Sequence, residues 1–327
     1  MRASNPGERK LAGPGFSRQT QFTAILVATD LSAQENLALQ RAWRLADAQR
    51  AALKLMYMPP AGQPVARDAA VRLARLARHL EDTFALRVKT VPLQSHRLED
   101  LVAQSRGMDL VVLPHRRERS TAAFFRGQPV LRLVRNASCP VLVTRQAGGQ
   151  HYGRILVAVD FSPESERLVR IAAGLEAHAE LEVFHAIDTL GEARLRAAEA
   201  REEAVRTYRE RCLRDAQKGM LTLTDSFDAR RNRVSTLIGR GDPGRQAVVQ
   251  QERSGADLVV VGKRRSSAWQ DFFSGSVAHR VLSWGSSDVL VVPPAREPAT
   301  GPIAARRIHG ADGAAALEMR PAGRRAS

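Results

Sequence analysis

Apolar residues fall along the chain in two alternating rhythms. Short unbroken runs such as "AILVATD" (Ala24–Asp30) and "DLVVLP" (Asp109–Pro114) are followed by longer stretches in which apolar positions return every three or four residues. The first rhythm suits strands buried on both faces, and the second suits amphipathic helices. Leu37 to Ala52 is helical by composition, "LKLMYM" (Leu53–Met58) reads as a strand, and Ala66–Ala85 as a long helix. "RVKTVPL" (Arg87–Leu93) is a third strand, "LEDLVAQSRG" (Leu98–Gly107) a helix, and "DLVVLP" the fourth strand. A further helix leads to the fifth strand, "PVLVTR" (Pro140–Arg145). Five strands with four crossovers predict an open, parallel, Rossmann-like α/β sheet, with ligands gathering beyond the strand C-termini.

The pattern then starts again. "ILVATDLS" (Ile25–Ser32) returns as "ILVAVDFS" (Ile155–Ser162), an offset of 130. "DLVVLPHRRERSTAAFFRG" (Asp109–Gly127) returns as "DLVVVGKRRSSAWQDFFSG" (Asp257–Gly275), and "CPVLVTR" (Cys139–Arg145) as "SDVLVVP" (Ser287–Pro293), both at 148. Three matches in one order predict two tandem five-stranded domains, at 22–145 and 154–294, since the unit is too long for a solenoid. The extra 18 residues of the second half are expected within Glu192–Met220, a stretch rich in Ala, Glu, Arg and Leu that reads as one long packing helix. Residues 146–153, "QAGGQHYG", form a Gly-rich linker. Residues 1–21 and 295–327 lack periodicity and read as mobile tails, dispensable for folding. The last strands of the two halves, apolar along otherwise open edges, are expected to pair about a pseudo-two-fold axis.

Chemistry concentrates where the first and fourth strands end. Asp160 closes "ILVAVD", Gly262 closes "DLVVVG", and Gly275-Ser276 opens the next helix. A glycine lets backbone approach phosphate oxygens without a Cβ between, and a helix N-terminus presents unpaired N–H groups there. Lys263, Arg264 and Arg265 add positive charge to the same loop. A phosphate-binding turn and an ordinary strand-to-helix connection both fit this spacing.

With strand–Asp at the start of each unit and "GSVAHRVL…SDVLVVP" at its end, the chain resembles the universal stress protein family over residues 22–145 and 153–294. The resemblance implies an adenine-nucleotide-hydrolase-like α/β fold and, in one subgroup, ATP or another adenine nucleotide in this crevice. On that likeness, Ala158, Val159 and Asp160 match the loop flanking the adenosine, and Ala186 falls where backbone meets adenine. Gly262, Arg264, Gly275, Ser276 and Val277 match the phosphate-loop positions, while Arg265 stands at the second glycine, where its side chain either covers the phosphate approach or replaces lost backbone contacts. In the first half Pro114 replaces the first glycine, Arg117 the second and Gln128 the serine, so only Gly127 and Asp30 remain. Proline has no N–H to offer a phosphate, and nucleotide is expected in the second half only.

Composition narrows the alternatives. The net charge of +16 includes +3 in each tail, leaving a basic body that attracts phosphate-bearing partners without selecting one. "ARRNR" (Ala229–Arg233) has arginines without interleaved aromatics, which reads as a solvated face rather than a nucleic-acid site. Cys139 and Cys212 are far apart, and the eight histidines show no metal-ligand spacing, so neither a disulfide nor a metal site is expected. No apolar stretch is long enough to span a membrane, and the first twenty residues lack a secretory apolar core, so the expected location is the cytoplasm. "RGD" (Arg240–Asp242) belongs to a turn in which Asp242 caps the following helix. His185, at the end of the second strand of the second half, reads as a packing residue.

These features predict a cytosolic stress-response binding protein without turnover of its own, acting through an unidentified protein partner, as an intrachain pseudo-dimer or a homodimer of such chains. The competing reading is an enzyme that hydrolyses the nucleotide or transfers its adenylate. No residue beyond Asp160 presents itself as nucleophile or base for that chemistry.

Overall fold

The computed structural model describes residues 22–32, 36–59, 63–94, 97–115, 129–146, 151–176, 178–225, 234–263 and 277–295. The unbroken apolar runs form strands because helices cover both of their faces. The first half contains β1 (Ala24–Thr29), α1 (Asn36–Gln49), β2 (Ala52–Tyr57), α2 (Ala69–Phe84), β3 (Val88–Thr90), α3 (Leu98–Gln104), β4 (Leu110–Pro114), α4 (Pro129–Asn136) and β5 (Val141–Thr144). The second contains β6 (Arg154–Ala158), α5 (Glu164–Leu175), β7 (Glu180–Ile187), α6 (Leu190–Ala197), α7 (Glu202–Asp225), β8 (Val234–Arg240), α8 (Pro243–Ser254), β9 (Leu258–Gly262), α9 (Val277–Trp284) and β10 (Asp288–Val292). Successive strand residues point to opposite faces. Ile25, Val27, Leu110 and Val112 thus pack with α1, α2, α5 and α7, while Leu26, Ala28, Val111 and Leu113 pack with α3, α4, α8 and α9.

All ten strands make one sheet, in the order β3-β2-β1-β4-β5-β10-β9-β6-β7-β8. Pairing is parallel within each half, and β5 meets β10 antiparallel. Leu142 pairs with Leu290, its counterpart at the 148-residue offset, flanked by Val141–Val291 and Val143–Val289. A pseudo-two-fold axis therefore passes between these two leucines, and neither fifth strand has an open edge.

Three elements differ from the sequence pattern. The third strand of the first half keeps only Val88–Thr90, because it lies at the sheet edge and Pro92 has no N–H for a ladder. The helix expected to run to Ala52 ends at Gln49, where Arg50 turns left-handed (φ +53°) and Ala51 N–H donates to Ala46 O. The insertion is two helices rather than one. Glu199 is left-handed (φ +51°), Ala200 N–H donates to Leu195 O and Glu199 N–H to Arg196 O, a Schellman stop between α6 and α7. The 18 residues do lie there: β2 and β3 begin 36 residues apart (Ala52 to Val88), β7 and β8 54 apart (Glu180 to Val234).

The linker is fastened by a buried charged cluster. Asp288, fully buried at the start of β10, accepts the Arg145 and Gln146 N–H groups through Oδ1 at 2.7 and 3.0 Å. Its Oδ2 accepts the Tyr152 hydroxyl at 2.8 Å and meets Arg41 Nε of α1 at 3.4 Å. The Arg41 guanidinium lies 3.9 Å over the Tyr152 ring. Side chains from the first half, the linker and the second half thereby share one carboxylate. Gln49 adds a second tie, donating to Gly174 O of α5 at 3.1 Å. Burial, and then the Asp288 charge, holds the Tyr152 hydroxyl well above its ordinary range. The folded chain keeps that proton where the unfolded chain releases it, so this contribution is intact below pH about 10 and declines as pH rises further. Tyr152→Phe is expected to cost about 1–2 kcal/mol at neutral pH and to flatten the alkaline loss, as denaturant titrations between pH 7 and 11 will read.

Candidate functional site

The chain runs from β6 outward to β8 and then crosses to β9 on the other side of β6. That reversal opens a crevice beyond the C-terminal ends of β6 and β9, the place where open α/β sheets take ligands. Ala158 pairs with Val261, so Val159-Asp160 and Gly262-Lys263 leave neighbouring strands at one level. Ala158 also pairs with Phe184 of β7, which brings buried Ala186 level with Asp160. Val277 is the first residue of α9 and packs against the core face shared with α8. The fold thus brings Ala158, Val159, Asp160, Ala186 and Gly262 to one edge. Arg264, Arg265, Gly275 and Ser276 lie outside the described residues, as do Arg117, Gly127 and Gln128 of the first half and the tails at 1–21 and 296–327.

The turn after β6 is built by its own aspartate. Asp160 Oδ1 accepts Ser162 N–H at 3.1 Å and Ser165 hydroxyl at 3.2 Å, which lets Phe161 adopt φ +57°. Asp30 does the same for Ser32 at 2.7 Å, with Leu31 at φ +63°. A paired left-handed residue at both crevices shows a turn inherited with the duplication. Its floor in the second half is aromatic. The Phe161 and His185 rings lie 4.2 Å apart, and Gly219 of α7 comes so close that a Cβ there would stand 2.8 Å from the Phe161 ring. His185 Nδ1 lies 2.9 Å from Val159 O, which only accepts, so Nδ1 carries the hydrogen. Burial pulls the imidazole pKa down, and the ring stays neutral as a packing group.

Lys263 departs from the sequence expectation. Its ammonium donates to Arg135 O in the last turn of α4, where a cation suits the helix C-terminus. Burial, then the neighbouring Arg135, lowers its pKa. Lys263 ties the second half to the first instead of lending charge to the crevice loop. On the other side of the junction, Arg145 donates to Val281, Leu282, Gly285 and Ser287 carbonyls and closes the C-terminus of α9.

The first-half crevice differs at both of its described edges. Pro114 ends β4, and Arg72 Nη2 of α2 reaches across to Leu31 O at 2.7 Å. Two further aspartates of the repeat, Asp109 and Asp257, are fasteners: each accepts backbone N–H groups at the start of its half, at Thr23 and Ala24 or at Gly153 and Arg154. Asp242 accepts Arg245 N–H at 2.8 Å as the cap of α8, behind Pro243.

Sequence reading missed one cluster beside the crevice. Glu192 of α6 meets Arg196 at 2.9 Å and Arg240 at 2.7 Å, and also Arg209. The Arg209 hydrogen bond is the main reason its carboxyl falls to about 2. The stabilisation is complete above the ordinary value of 4.5 and is lost as pH falls toward about 2. Amide exchange in α6 is expected to quicken across that window, and Glu192→Gln to show the fast exchange already at neutral pH. Among the described residues, no group of three His, Cys, Asp or Glu side chains is placed to hold a metal ion, and no helix is long and apolar enough to cross a membrane. Cys139 and Cys212 are both free, and burial pushes the Cys139 thiol up to about 11.

This doubled, doubly wound sheet, with its Asp-turn and its glycine at the strand ends, defines a tandem α/β protein with one crevice per half. Comparison with known proteins supplies the family. The sequence pattern of the universal stress protein family matches residues 21–145 and again 151–293, and the chain belongs to that family. It is 30% identical over 158 residues to universal stress protein A of Photorhabdus laumondii, covering 95% of that protein and 43% of this chain. It is 24% identical over 147 residues to universal stress protein YxiE of Bacillus subtilis, covering 99% of that protein and 43% of this chain. Among solved structures, a universal stress protein from Archaeoglobus fulgidus superposes with a TM-score of 0.60 at 17% identity, over 84% of this chain and 97% of that one. A functionally unknown protein, PA1789, from Pseudomonas aeruginosa does so with a TM-score of 0.58 at 25% identity, over 84% and 93%.

Proposed function

We propose that this tandem universal stress protein is a cytoplasmic stress-response binding protein whose second half takes ATP or another adenine nucleotide, without turnover. The observation carrying this reading is the contrast between the crevices. Gly262 ends β9 level with the Asp160 turn, whereas the equivalent place in the first half has Pro114, with Arg72 on the turn carbonyl. The base would lie near Ala186 and the phosphates over Gly262, Gly275 and Ser276, with Arg264, Arg265 and Val277 completing the loop. Asp160, His185 and Lys263 are each engaged in holding the fold. That supports occupancy rather than hydrolysis or adenylate transfer. Occupancy would act by changing the surface around the crevice that a protein partner reads. In the cytoplasm both thiols stay reduced.

Calorimetry with ATP is expected to give one site per full-length chain, and denaturing the purified protein to release an adenine nucleotide identified by mass. No ADP should accumulate at saturating ATP. Two equivalent sites, or steady hydrolysis, would contradict the proposal.

A further inference from the structure

The helices α1 and α2 leave between them an open groove of about 430 Å³. That volume is in the range of small-molecule sites. Its walls are Leu39 and Trp43 from α1 and Leu76 and Phe84 from α2, with the Trp43 and Phe84 rings stacked 4.0 Å apart at 18°. One permanent charge lines it, Arg44, and no carboxylate does. The Arg44 guanidinium lies 5.2 Å from the Trp43 ring centre.

The repeat shows that the fold does not require an arginine at this place. At the 130-residue offset, Trp43 and Arg44 correspond to Ala173 and Gly174, so α5 in the second half has neither the aromatic wall nor the cation. The aromatic wall and its charge are particular to the first half, where Pro114 ends the strand that Gly262 ends in the second. Its lining spans about two turns of each helix, a length that suits a small molecule better than a partner's helix.

We propose that the α1–α2 groove of the first half binds a small amphipathic carboxylate, its apolar chain along Leu39, Leu76 and the Trp43–Phe84 stack and its carboxylate on Arg44. The apolar walls supply most of the binding, and a charge-assisted hydrogen bond from the Arg44 guanidinium selects the head group.

Calorimetry of the full-length protein with decanoate, kept below its micelle-forming concentration, and with decanol tests this. Decanoate should saturate one site and bind at least about tenfold more tightly than decanol. Arg44→Gln should erase that preference by weakening decanoate alone, and Leu76→Trp should block both ligands by filling the groove. Thermal melting establishes that each variant is folded, and ATP binding remains unchanged in both. Equal affinity for decanoate and decanol in the wild type, an undiminished preference in Arg44→Gln, or unimpeded binding in Leu76→Trp would overturn the assignment. Binding of an acidic amphipathic peptide with none of decanoate would overturn it as well, by giving the groove to a protein partner.

Discussion

Asp288→Ala is expected to destabilise the chain by about 3–5 kcal/mol, read as a fall in the denaturant midpoint with little change in slope. The substitution takes the facing carboxylate away from the Arg41 guanidinium, which is 5% exposed. It also strands the Arg145 and Gln146 N–H groups and the Tyr152 hydroxyl, each of which has its acceptor on this carboxylate. The double variant Arg41→Met/Asp288→Ala should recover part of the loss, because removing both charges avoids leaving one without the other. A change below about 1 kcal/mol for Asp288→Ala would mean that water reaches the cluster and that β5–β10 pairing and the other ties hold the halves without it.

The second large effect concerns the crevice. Gly275→Val is expected to weaken ATP binding by more than about a hundredfold, since a branched side chain occupies the space through which backbone N–H groups meet phosphate. The matched change in the other half, Gly127→Val, should leave the affinity unaltered. Arg265 discriminates between its two readings: Arg265→Ala weakens binding if the guanidinium clamps phosphate, and Arg265→Gly strengthens it if the side chain obstructs. Full affinity in Gly275→Val, or loss in Gly127→Val, would remove the second-half assignment. Calorimetry on the wild type and these four variants suffices.

The repeat was legible because strands buried on both faces must be apolar throughout, and such runs survive divergence. "ILVA" and "DLVV" therefore announce β1, β6, β4 and β9 directly. The antiparallel closure of β5 on β10 was also within reach, since an apolar strand at an open edge requires a partner. What the sequence concealed were contacts between residues far apart in the chain. Asp288 looks like one more polar residue before a strand until Arg41 and Tyr152 are seen against it. Lys263 sits in a basic run that suggests phosphate, yet its partner is a helix end 128 residues away. The stop at Glu199 was hidden for another reason: a non-glycine left-handed residue carries no compositional signal, and the surrounding Ala, Glu and Arg favour helix throughout. Asp160 is expected from the sequence only as part of the loop flanking the adenosine, and its local bonds make it a turn-forming residue.

The pairing of Leu142 with Leu290 inside a single chain has a consequence for how the two halves can diverge. Two separate subunits joined in this way would exchange partners on dilution, and every copy would need both a sound edge and a sound crevice. Covalent fusion removes that exchange and makes the join independent of protein concentration. Each molecule then holds one half of each kind in fixed proportion. The first half is free to carry Pro114 at its strand end and to acquire a surface of its own, provided that β5 continues to shield β10.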